Sequence, residues 1–378
     1  MDSQGSRRRV VLMGPVLPYR GGIAQHTTML HRALPELAER LTISFSRQYP
    51  ALIFPGESDR DPSHEGHWEI GVEYLIDSLN PLSWRKAVNR VLAYDADIVV
   101  LPWWSVYWVV CFRYLARALR RRGLTVVFFC HNVIEHESAG WKTALTRSVL
   151  RHGCRFVVHT KEDAAQLRRL IPGASVSVHA HPIYDQFPEP KHALPKRGSL
   201  ELLFYGFVRP YKGLDVLVEA MARTSEGTQL TIAGEFWADE ERIRSRIRDL
   251  GLSDRIELRS RYQTDQETAE LFARSDVVIL PYRSATGSGV VPVAYHYDKP
   301  VIATRVGGLP EVVDDGKTGI LIPADSVDAL AEAINGLTRD DAAGMVPAIR
   351  AMKHGMTWTS LASTLLDAPK VSACSPVY

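Results

Sequence analysis

Short apolar runs rich in β-branched residues recur along the chain, and helical patterns lie between them. This alternation predicts an α/β fold in which parallel strands are joined by crossover helices. Strands are predicted at residues 10–13, 42–45, 98–101, 126–130 and 156–159 in the first half, and at 202–205, 230–233, 256–258, 277–280 and 301–303 in the second. Helices are predicted at residues 23–34, 215–222, 240–250 and 290–297.

The segment at residues 187–199, FPEPKHALPKRGS, separates the two halves. Its three prolines, clustered basic residues and few large apolar residues are typical of a linker. Each half is therefore predicted to form its own Rossmann-like domain, residues 1–186 and 200–356. The last ten residues, 369–378, have the composition of a loose tail.

The composition mainly excludes classes of protein. The 378 residues are 46% hydrophobic and 23% charged, which is ordinary for a globular protein. A net charge of +2 argues against bulk nucleic-acid binding. The four cysteines form no C-x-x-C, which excludes a disulfide framework and a cysteine zinc site and favours a cytoplasmic location. The basic N-terminus is interpreted as the flank of the first strand, and no apolar stretch of ~18 residues predicts a membrane span.

The segments that follow the predicted strands are the candidates for a functional site. In open parallel sheets, ligands bind outside the carboxyl ends of the strands. Two sheets facing each other would bring the strand-end segments of both halves around one cleft. Glycine or polar residues follow strands at Gly21, Gly22, His131, Asn132, Gly206, Arg209, Lys212, Gly234 and Glu235, and throughout residues 283–289.

Three of these segments suit a diphosphate. Gly287-Ser288-Gly289 precedes a predicted helix, whose free N–H groups and partial positive charge favour a phosphate. Arg209 and Lys212 lie on another strand-end loop and can neutralise phosphate oxygens without a metal. Gly21-Gly22 precedes a helix in the other half. Each signal alone is weak, because a glycine pair is more often only a turn and a basic pair is often only solvated, so the interpretation rests on their joint placement.

His131 follows an otherwise apolar strand and leaves two interpretations open. It is either a satisfied histidine of the core or rim, or a hydrogen-bond donor to a sugar hydroxyl or a developing charge. His136 and Glu137 follow closely, but the segment does not form the H-E-x-x-H motif of a zinc site. Further histidines near strand ends are interpreted as mostly structural, namely His159, His179 and His181.

Several catalytic motifs are excluded. Asp95-Ala96-Asp97 has the form of a D-x-D metal motif, but it directly precedes a strand, at the wrong edge of the sheet, and a turn is predicted. No G-x-G-x-x-G follows the first strand, and the sequence contains neither G-x-x-x-x-G-K-[ST] nor G-x-S-x-G. These patterns disfavour a dinucleotide oxidoreductase and exclude a P-loop NTPase and a hydrolase with a nucleophile elbow.

From about residue 10 to 365, the chain resembles the retaining glycosyltransferases of family 4, which have the GT-B fold of two Rossmann-like parallel-sheet domains facing a cleft. Residues 20–23 are similar to the N-terminal glycine loop of that family, and residues 206–213 to its diphosphate-binding loop. The most specific stretch is DKPVIAT, VGGLPEVV and DGKTGILIP, within residues 298–323. Residues 357–368 resemble the helix that crosses back to the first domain in this family.

The resemblance implies transfer of a sugar from a nucleotide-sugar to an acceptor hydroxyl, with the anomeric configuration kept and with no metal or other cofactor. Arg209 and Lys212 would neutralise the leaving diphosphate, and His131 would contact the donor sugar. The implied donor-binding residues are Gly21, Gly22, Gly206, Glu235, Tyr262, Thr286, Gly287, Ser288, Gly289 and Val290. The implied acceptor-side residues are Arg20, Trp104, Asn132, His136 and Glu137. The resemblance also implies that the transfer is a step in the synthesis of a bacterial polysaccharide or of a glycosylated metabolite.

Two departures from the family pattern indicate a subgroup. The two glutamates of the family's E-x-F-G-x-x-x-x-E motif fall on Ala285 and Val293, and Thr286 and Ser288 are the expected substitutes. The arginine that usually follows the glycine of the diphosphate-binding loop is Phe207 here, and Arg209 is expected to replace it.

Residues 103–122 combine three tryptophans with a run of arginines toward the far end. An amphipathic helix on an anionic membrane has this composition, and so has a core helix that ends in a solvated basic turn. The core helix is favoured. The membrane alternative would make the protein peripheral to the inner face of the membrane and would allow a lipid-linked acceptor.

Two rival functions remain open at the level of sequence. The missing carboxylates motivate a non-catalytic GT-B protein that binds a nucleotide or glycan. A phosphorylase or an epimerase on the same fold is a further alternative. The basic pair, His131 and the glycine loops favour the sugar transferase.

Overall fold

A computed structural model describes residues 7–50, 58–133 and 140–367, and the chain divides into two compact units. One unit combines residues up to Ala180 with those from Thr357 onward, and the other is His181–Met356. Among the residues singled out above, His136, Glu137 and the tail at 369–378 lie outside the described part of the chain.

The first unit is built on a parallel sheet of seven strands. The strands are β1 (Arg9–Met13), β2 (Glu39–Arg47), β3 (Val72–Asp77), β4 (Ile98–Trp103), β5 (Thr125–Cys130), β6 (Arg155–Val158) and β7 (Val176–Val178). Their order across the sheet is β3-β2-β1-β4-β5-β6-β7. The helices between them are α1 (Gly22–Ala33), α2 (Pro81–Tyr94), α3 (Val109–Arg120), α4 (Gly140–Leu150) and α5 (Lys161–Leu170).

The second unit is built on a parallel sheet of six strands. The strands are β8 (Leu200–Tyr205), β9 (Thr228–Ala233), β10 (Ile256–Arg259), β11 (Val277–Leu280), β12 (Val301–Thr304) and β13 (Gly319–Ile322), in the order β10-β9-β8-β11-β12-β13. Its helices are α6 (Leu214–Met221), α7 (Glu240–Asp249), α8 (Asp265–Arg274), α9 (Val290–His296), α10 (Leu309–Val312), α11 (Val327–Asn335), α12 (Arg339–Gly344) and α13 (Val346–Lys353). The last described helix, α14 (Trp358–Leu366), is grouped with the first unit.

The ten predicted strands are all present. The central strands β4, β5 and β9 are buried along their whole length, as expected when helices cover both faces of a parallel sheet. Three strands of the described chain were not predicted, namely β3, β7 and β13. All three lie at the edge of a sheet, and most residues of β3 and β7 are only partly buried, which weakens the hydrophobic pattern of these two.

Residues 103–122 do not form one helix, contrary to the sequence-based description. Trp103 is the last residue of β4, and α3 begins only at Val109. Trp103 and Trp108 are buried in the core of the first unit, and Trp104 packs against that core. The tryptophans therefore serve packing, which agrees with the favoured core interpretation. Asp95 follows the last residue of α2 and has the left-handed backbone of a turn residue, as predicted. Its side chain pairs with Arg9.

The predicted linker packs on the second unit. Its first residue, Phe187, is buried, and its carbonyl oxygen accepts a hydrogen bond of 3.1 Å from Nε2 of His296. The hydroxyl of Tyr297 donates to the carbonyl of Pro188 at 2.9 Å. The second unit therefore begins before the predicted linker, at His181 rather than after residue 199.

The helix α14 begins close to the residue that the sequence indicated. Thr357 is its N-cap, and its hydroxyl accepts a hydrogen bond of 3.2 Å from the N–H of Ser360. Trp358, the first helical residue, is buried, and α14 packs on α1. No helix in the described ranges is long and apolar enough to cross a membrane.

Candidate functional site

The strand order of the second unit defines the position of its binding crevice. The chain proceeds outward in one direction from β8 to β10 and in the other from β11 to β13, so the order reverses between β8 and β11. These two strands are direct neighbours, with Leu202 opposite Val277 and Leu203 opposite Val278. In open α/β sheets, the ligand crevice lies outside the carboxyl ends of the strands at such a reversal. The loops that leave this point are residues 206–213 and 281–289.

The two loops approach each other so closely that glycine is required. Gly213 has a φ of 65°, and a Cβ on it would overlap the carbonyl oxygen of Pro281. On the neighbouring strand-end loop, a Cβ on Gly234 would overlap the carbonyl oxygen of Gly206. The loops that follow β8, β9 and β11 are thus in direct backbone contact.

Lys212 is buried at this junction. Only 8% of the residue is exposed, and its Nζ lies 5.6 Å from the centre of the Tyr282 ring. The same Nζ lies above Gly206, 3.3 Å from the place where a Cβ would be. Burial, with a smaller contribution from the charge of Arg209, lowers the pKa of Lys212 to about 7. An anion bound here would restore the ordinary charged state of the lysine.

Arg209 lies on the same loop and is exposed. Its guanidinium lies 4.8 Å from the ring centre of Trp237 and 5.8 Å from that of Tyr211. Phe207 packs against Trp237, with ring centres 4.8 Å apart, and 6.0 Å from Tyr262. The loop therefore presents one buried and one exposed cation beside an aromatic wall, which is an arrangement that suits an anionic group attached to a flat ring.

An ion pair that the sequence did not reveal holds the two loops together. Arg283 donates two hydrogen bonds of 2.8 Å to the carboxylate of Asp215, one to each oxygen. It also donates to the carbonyl of Pro210 at 3.0 Å and to Asp325 at 2.6 Å. Its backbone N–H reaches the carbonyl of Tyr211 at 2.7 Å. The hydrogen bonds from Arg283 keep the pKa of the Asp215 carboxyl below its ordinary value.

The segment that leads to α9 is tightly bonded internally. The hydroxyl of Ser288 accepts a hydrogen bond of 3.2 Å from the N–H of Val290 and lies 3.4 Å from the hydroxyl of Tyr282. The carbonyl of Thr286 accepts a hydrogen bond from Gly308. In the first turn of α9, the N–H of Val290 is already bonded to Ser288 and Pro292 has no N–H, so these two positions offer no donor to a ligand. Gly287 and Gly289 are exposed between these anchored residues.

The two positions at which the resembled family carries glutamates are apolar and buried. Ala285 is 7% exposed and Val293 is 4% exposed. Glu235 is the one carboxylate among the residues predicted to bind the donor, and it is half-buried after β9. Its backbone carbonyl accepts a hydrogen bond of 2.9 Å from the N–H of Val208. Tyr262 is half-buried after β10. The predicted donor-binding residues of the second unit thus lie in the loops after β8, β9, β10 and β11.

The first unit has its own reversal of strand order, between β1 and β4. Gly21, with a φ of 98°, caps α1 after β1, next to the exposed Gly22. The N–H of Arg20 donates to the carbonyl of Asp59 at 3.0 Å. After β4, Nε1 of Trp104 donates to the hydroxyl of Tyr49 at 3.2 Å, and Nδ2 of Asn132 reaches the carbonyl of Trp104 at 3.5 Å. Trp104 and Asn132 are thereby brought together.

His131 lies beside two further histidines of the first unit. Its ring centre is 4.5 Å from that of His26 and 5.8 Å from that of His159. The sequence singled out His131 but did not indicate His26, which lies inside α1 and carries no motif. His159 was interpreted as mostly structural.

The architecture is GT-B, and solved structures of glycosyltransferases have the same fold. Sucrose-phosphate synthase from Thermosynechococcus elongatus superposes with a TM-score of 0.70 at 18% identity, over 95% of this chain and 97% of that one. The Anabaena protein Alr3699/HepE, solved in complex with UDP, gives a TM-score of 0.70 at 16% identity, over 95% and 98% of the two chains. The match therefore covers both units and defines the fold class.

The sequence comparisons find a glycosyltransferase family and named glycosyltransferases among the proteins that this chain resembles. Residues 199–340, which lie in the second unit, match the family Glycosyl transferases group 1. The chain is 30% identical over 233 residues to D-inositol 3-phosphate glycosyltransferase of Mycobacteroides abscessus, covering 58% of this chain and 52% of the relative. The corresponding enzyme of Pseudarthrobacter chlorophenolicus is 29% identical over 243 residues, covering 62% and 57%. The chain thus spans about half the length of the curated relatives that it matches.

Proposed function

We propose that the protein is a hexosyltransferase that moves a sugar from a nucleoside-diphosphate sugar to an acceptor hydroxyl and keeps the anomeric configuration. The observation that carries this proposal is Lys212, a buried lysine beside Arg209 at the strand-order reversal of the second unit. The same unit contains the segment that matches the glycosyltransferase family. Retention of configuration rests on the resemblance to family 4, and the anomer of the product tests it.

The two cations have complementary tasks in this proposal. Arg209 is exposed and carries a planar fork of donors, so it suits two oxygens of the diphosphate as it arrives. Lys212 is buried, so its ammonium interacts with the diphosphate through a medium of low dielectric, where the interaction is stronger than in water. As the bond to the sugar breaks, negative charge grows on the diphosphate, and both cations stabilise it more in the transition state than in the ground state. No metal is needed for that charge.

The recognition of hydroxyl groups must differ from the usual pattern of the family. Ala285 and Val293 cannot bind a ribose or sugar hydroxyl. We assign that role to the Ser288 hydroxyl, which is held between Tyr282 and the N–H of Val290. On the first unit, His131 is assigned a hydrogen bond to a hydroxyl of the donor sugar. Trp104, Asn132 and Arg20 are assigned to the acceptor.

The first experiment measures thermal stabilisation by UDP, GDP, ADP and TDP, and by their common sugar conjugates, in EDTA. A ligand that binds only the folded state at ~100 times its Kd adds ~2.7 kcal/mol to the free energy of unfolding. We expect a clear shift with one nucleoside diphosphate. Lys212→Met should abolish the shift.

Lys299→Met is the matched control for Lys212→Met. Lys299 is also a lysine of the second unit whose pKa is lowered by burial, but it precedes β12 and so lies at the opposite edge of the sheet. Its variant should keep the shift. No shift with any nucleotide, in EDTA or with Mg²⁺ restored, would contradict the proposed site. Binding without release of the nucleotide from any sugar conjugate would instead support the non-catalytic GT-B alternative.

We also infer a cytoplasmic location and a weak contact with an anionic membrane surface. The outer faces of α3 and α4, two helices that pack together, expose apolar and basic residues. These are Val110, Arg113, Tyr114, Arg117, Trp141, Leu145 and Arg147. Exposed aromatic groups beside basic side chains suit the interface of an anionic bilayer. Co-sedimentation with vesicles rich in phosphatidylglycerol, but not with phosphatidylcholine vesicles, is expected, and Val110→Ser with Trp141→Ser should abolish it.

A further inference from the structure

Three histidines of the first unit converge on one point, and we refer to His26, His131 and His159 as the histidine cluster. One ring nitrogen of each lies within 4.8 Å of those of the other two. The sheet register explains part of this convergence. Cys130 of β5 pairs with Val158 of β6, so the residues that follow them, His131 and His159, leave adjacent strands side by side. His26 reaches the same place from α1.

The three rings are inclined to one another rather than stacked. The His26 ring is inclined by 89° to that of His131 and by 72° to that of His159, and the latter two are inclined by 57° to each other. Stacked aromatic packing would make the ring planes nearly parallel. Inclined planes allow the ring edges, which carry the nitrogens, to approach a common centre.

The histidine cluster packs against two aromatic side chains, and of its members His26 is buried while His131 and His159 are half-buried. The ring of Phe129 lies 4.6, 4.8 and 4.9 Å from those of His26, His131 and His159, and Trp358 of α14 lies 5.0 Å from His26. His26 is 2% exposed, and the Nε2 atoms of all three rings are shielded from solvent.

A hydrogen bond fixes the orientation of one ring. Nδ1 of His159 lies 3.1 Å from the carbonyl oxygen of His179. Since a carbonyl only accepts, Nδ1 carries the proton, and Nε2 of the neutral ring then carries the lone pair. Metal-binding histidines commonly have this arrangement, in which one nitrogen donates to a backbone carbonyl and the other binds the ion.

We propose that the histidine cluster binds one transition-metal ion, with Zn²⁺ as the first candidate, through one nitrogen of each ring. Zinc binds histidine nitrogen at about 2.0–2.1 Å, which places the nitrogens of a tetrahedral site roughly 3.4 Å apart. The present spacing, at most 4.8 Å, closes to that value with side-chain movements of about 1 Å. Three imidazoles suit zinc, nickel or copper, and they leave the fourth position open to water. The proposal is independent of the sugar-transfer proposal.

The test uses the full chain after treatment with a chelator, titrated with Zn²⁺ in competition with a chromophoric chelator. One ion per chain with a Kd of micromolar or below is expected. His26→Gln and His159→Gln should each weaken binding at least ~100-fold, because even the loss of an outer partner of a metal ligand costs about 10–100-fold. His152→Gln, in the same unit but outside the histidine cluster, is the matched control and should bind as the wild type does.

Co²⁺ provides a second measurement that does not depend on the folding of a variant. A three-histidine site with one open position should give the intense visible bands of four- or five-coordinate cobalt, and Zn²⁺ should displace them. Melting curves in EDTA identify any variant that fails to fold. The proposal is overturned if the wild type binds no zinc at micromolar concentration. It is equally overturned if a folded His159→Gln protein binds zinc as tightly as the wild type.

Discussion

Arg283 and Asp215 share two parallel hydrogen bonds of 2.8 Å, although 68 residues separate them in the chain. Asp215 stands in the first turn of α6, directly after the loop that carries Lys212, and Arg283 stands in the loop after β11. The pair therefore joins the two loops on either side of the strand-order reversal. Its geometry is the bidentate form that holds both partners in one orientation.

Asp215→Asn should lower nucleotide affinity more than it lowers stability. Both side chains are about one-third exposed, so we expect a loss of only ~1 kcal/mol or less in the free energy of unfolding. The loop of Arg209 and Lys212 loses its anchor, and we expect about a tenfold weaker affinity for the nucleoside diphosphate, measured by calorimetry. Arg305→Gln, which breaks the exposed pair with Asp315, is the control. Equal affinities in the two variants would contradict the anchoring role.

Lys212 should make nucleotide binding depend on pH. Its pKa is about 7 in the folded protein, so above pH 7 the lysine of the free site is largely uncharged. A bound diphosphate raises that pKa, and binding therefore takes up a proton. Affinity should fall by up to about tenfold per pH unit above pH 7. Calorimetry at pH 8 in buffers of different ionisation enthalpy measures the proton uptake, and binding without any uptake would rule out this role.

Lys212 should also destabilise the folded protein when no ligand is bound. The unfolded chain holds the lysine proton up to its ordinary pKa of 10.5, whereas the folded chain releases it near pH 7. Between these values the unfolded state binds more protons, so stability rises with pH. Lys212→Met should therefore stabilise the ligand-free protein most at pH 6 and progressively less toward pH 10, as chemical denaturation can measure. A variant that is less stable than the wild type at pH 6 would show that the ammonium has a favourable partner.

The close approach of Gly213 to Pro281 should make this glycine costly to replace. Gly213→Ala introduces strain at a φ of 65° and an overlap with the Pro281 carbonyl. Gly251→Ala, with a φ of 68° and open space around it, introduces the strain alone. We expect a loss of about 1 kcal/mol for Gly251→Ala and at least ~3 kcal/mol for Gly213→Ala in urea denaturation. Similar losses in the two variants would mean that the loops separate easily.

Zinc should inhibit sugar transfer if both proposals hold. His131 belongs to the histidine cluster and is also assigned to the donor sugar, so a bound ion would occupy one of its two nitrogens and hold its ring in the metal-binding orientation. Added Zn²⁺ should lower the initial rate of transfer, and EDTA should restore it. If zinc binds without inhibiting transfer, the role assigned to His131 in binding the donor sugar is contradicted, and the metal proposal stands.

Strand positions could be predicted because each central strand is buried on both faces and therefore reads as a continuous apolar run. Edge strands such as β3 have one neighbour and partly exposed side chains, so their pattern is weaker. The loop of Arg209 and Lys212 could be predicted because ligands of parallel sheets bind after the strands. Arg283 could not, because its role depends on a partner 68 residues away. His26 is likewise placed by the packing of α1, which no local pattern encodes.

The chain leaves the first unit after Ala180 and returns to it at Thr357. The two ends of the second unit lie next to each other, because the N–H of Ile183 donates a hydrogen bond of 2.9 Å to the carbonyl of Met356. In topological terms, the second unit is an insertion whose entry and exit lie side by side. A domain inserted in this way can be replaced by another without a change in the fold of the first unit. Under the proposed function, a chain built this way can acquire a different donor specificity while the surface of the first unit stays the same.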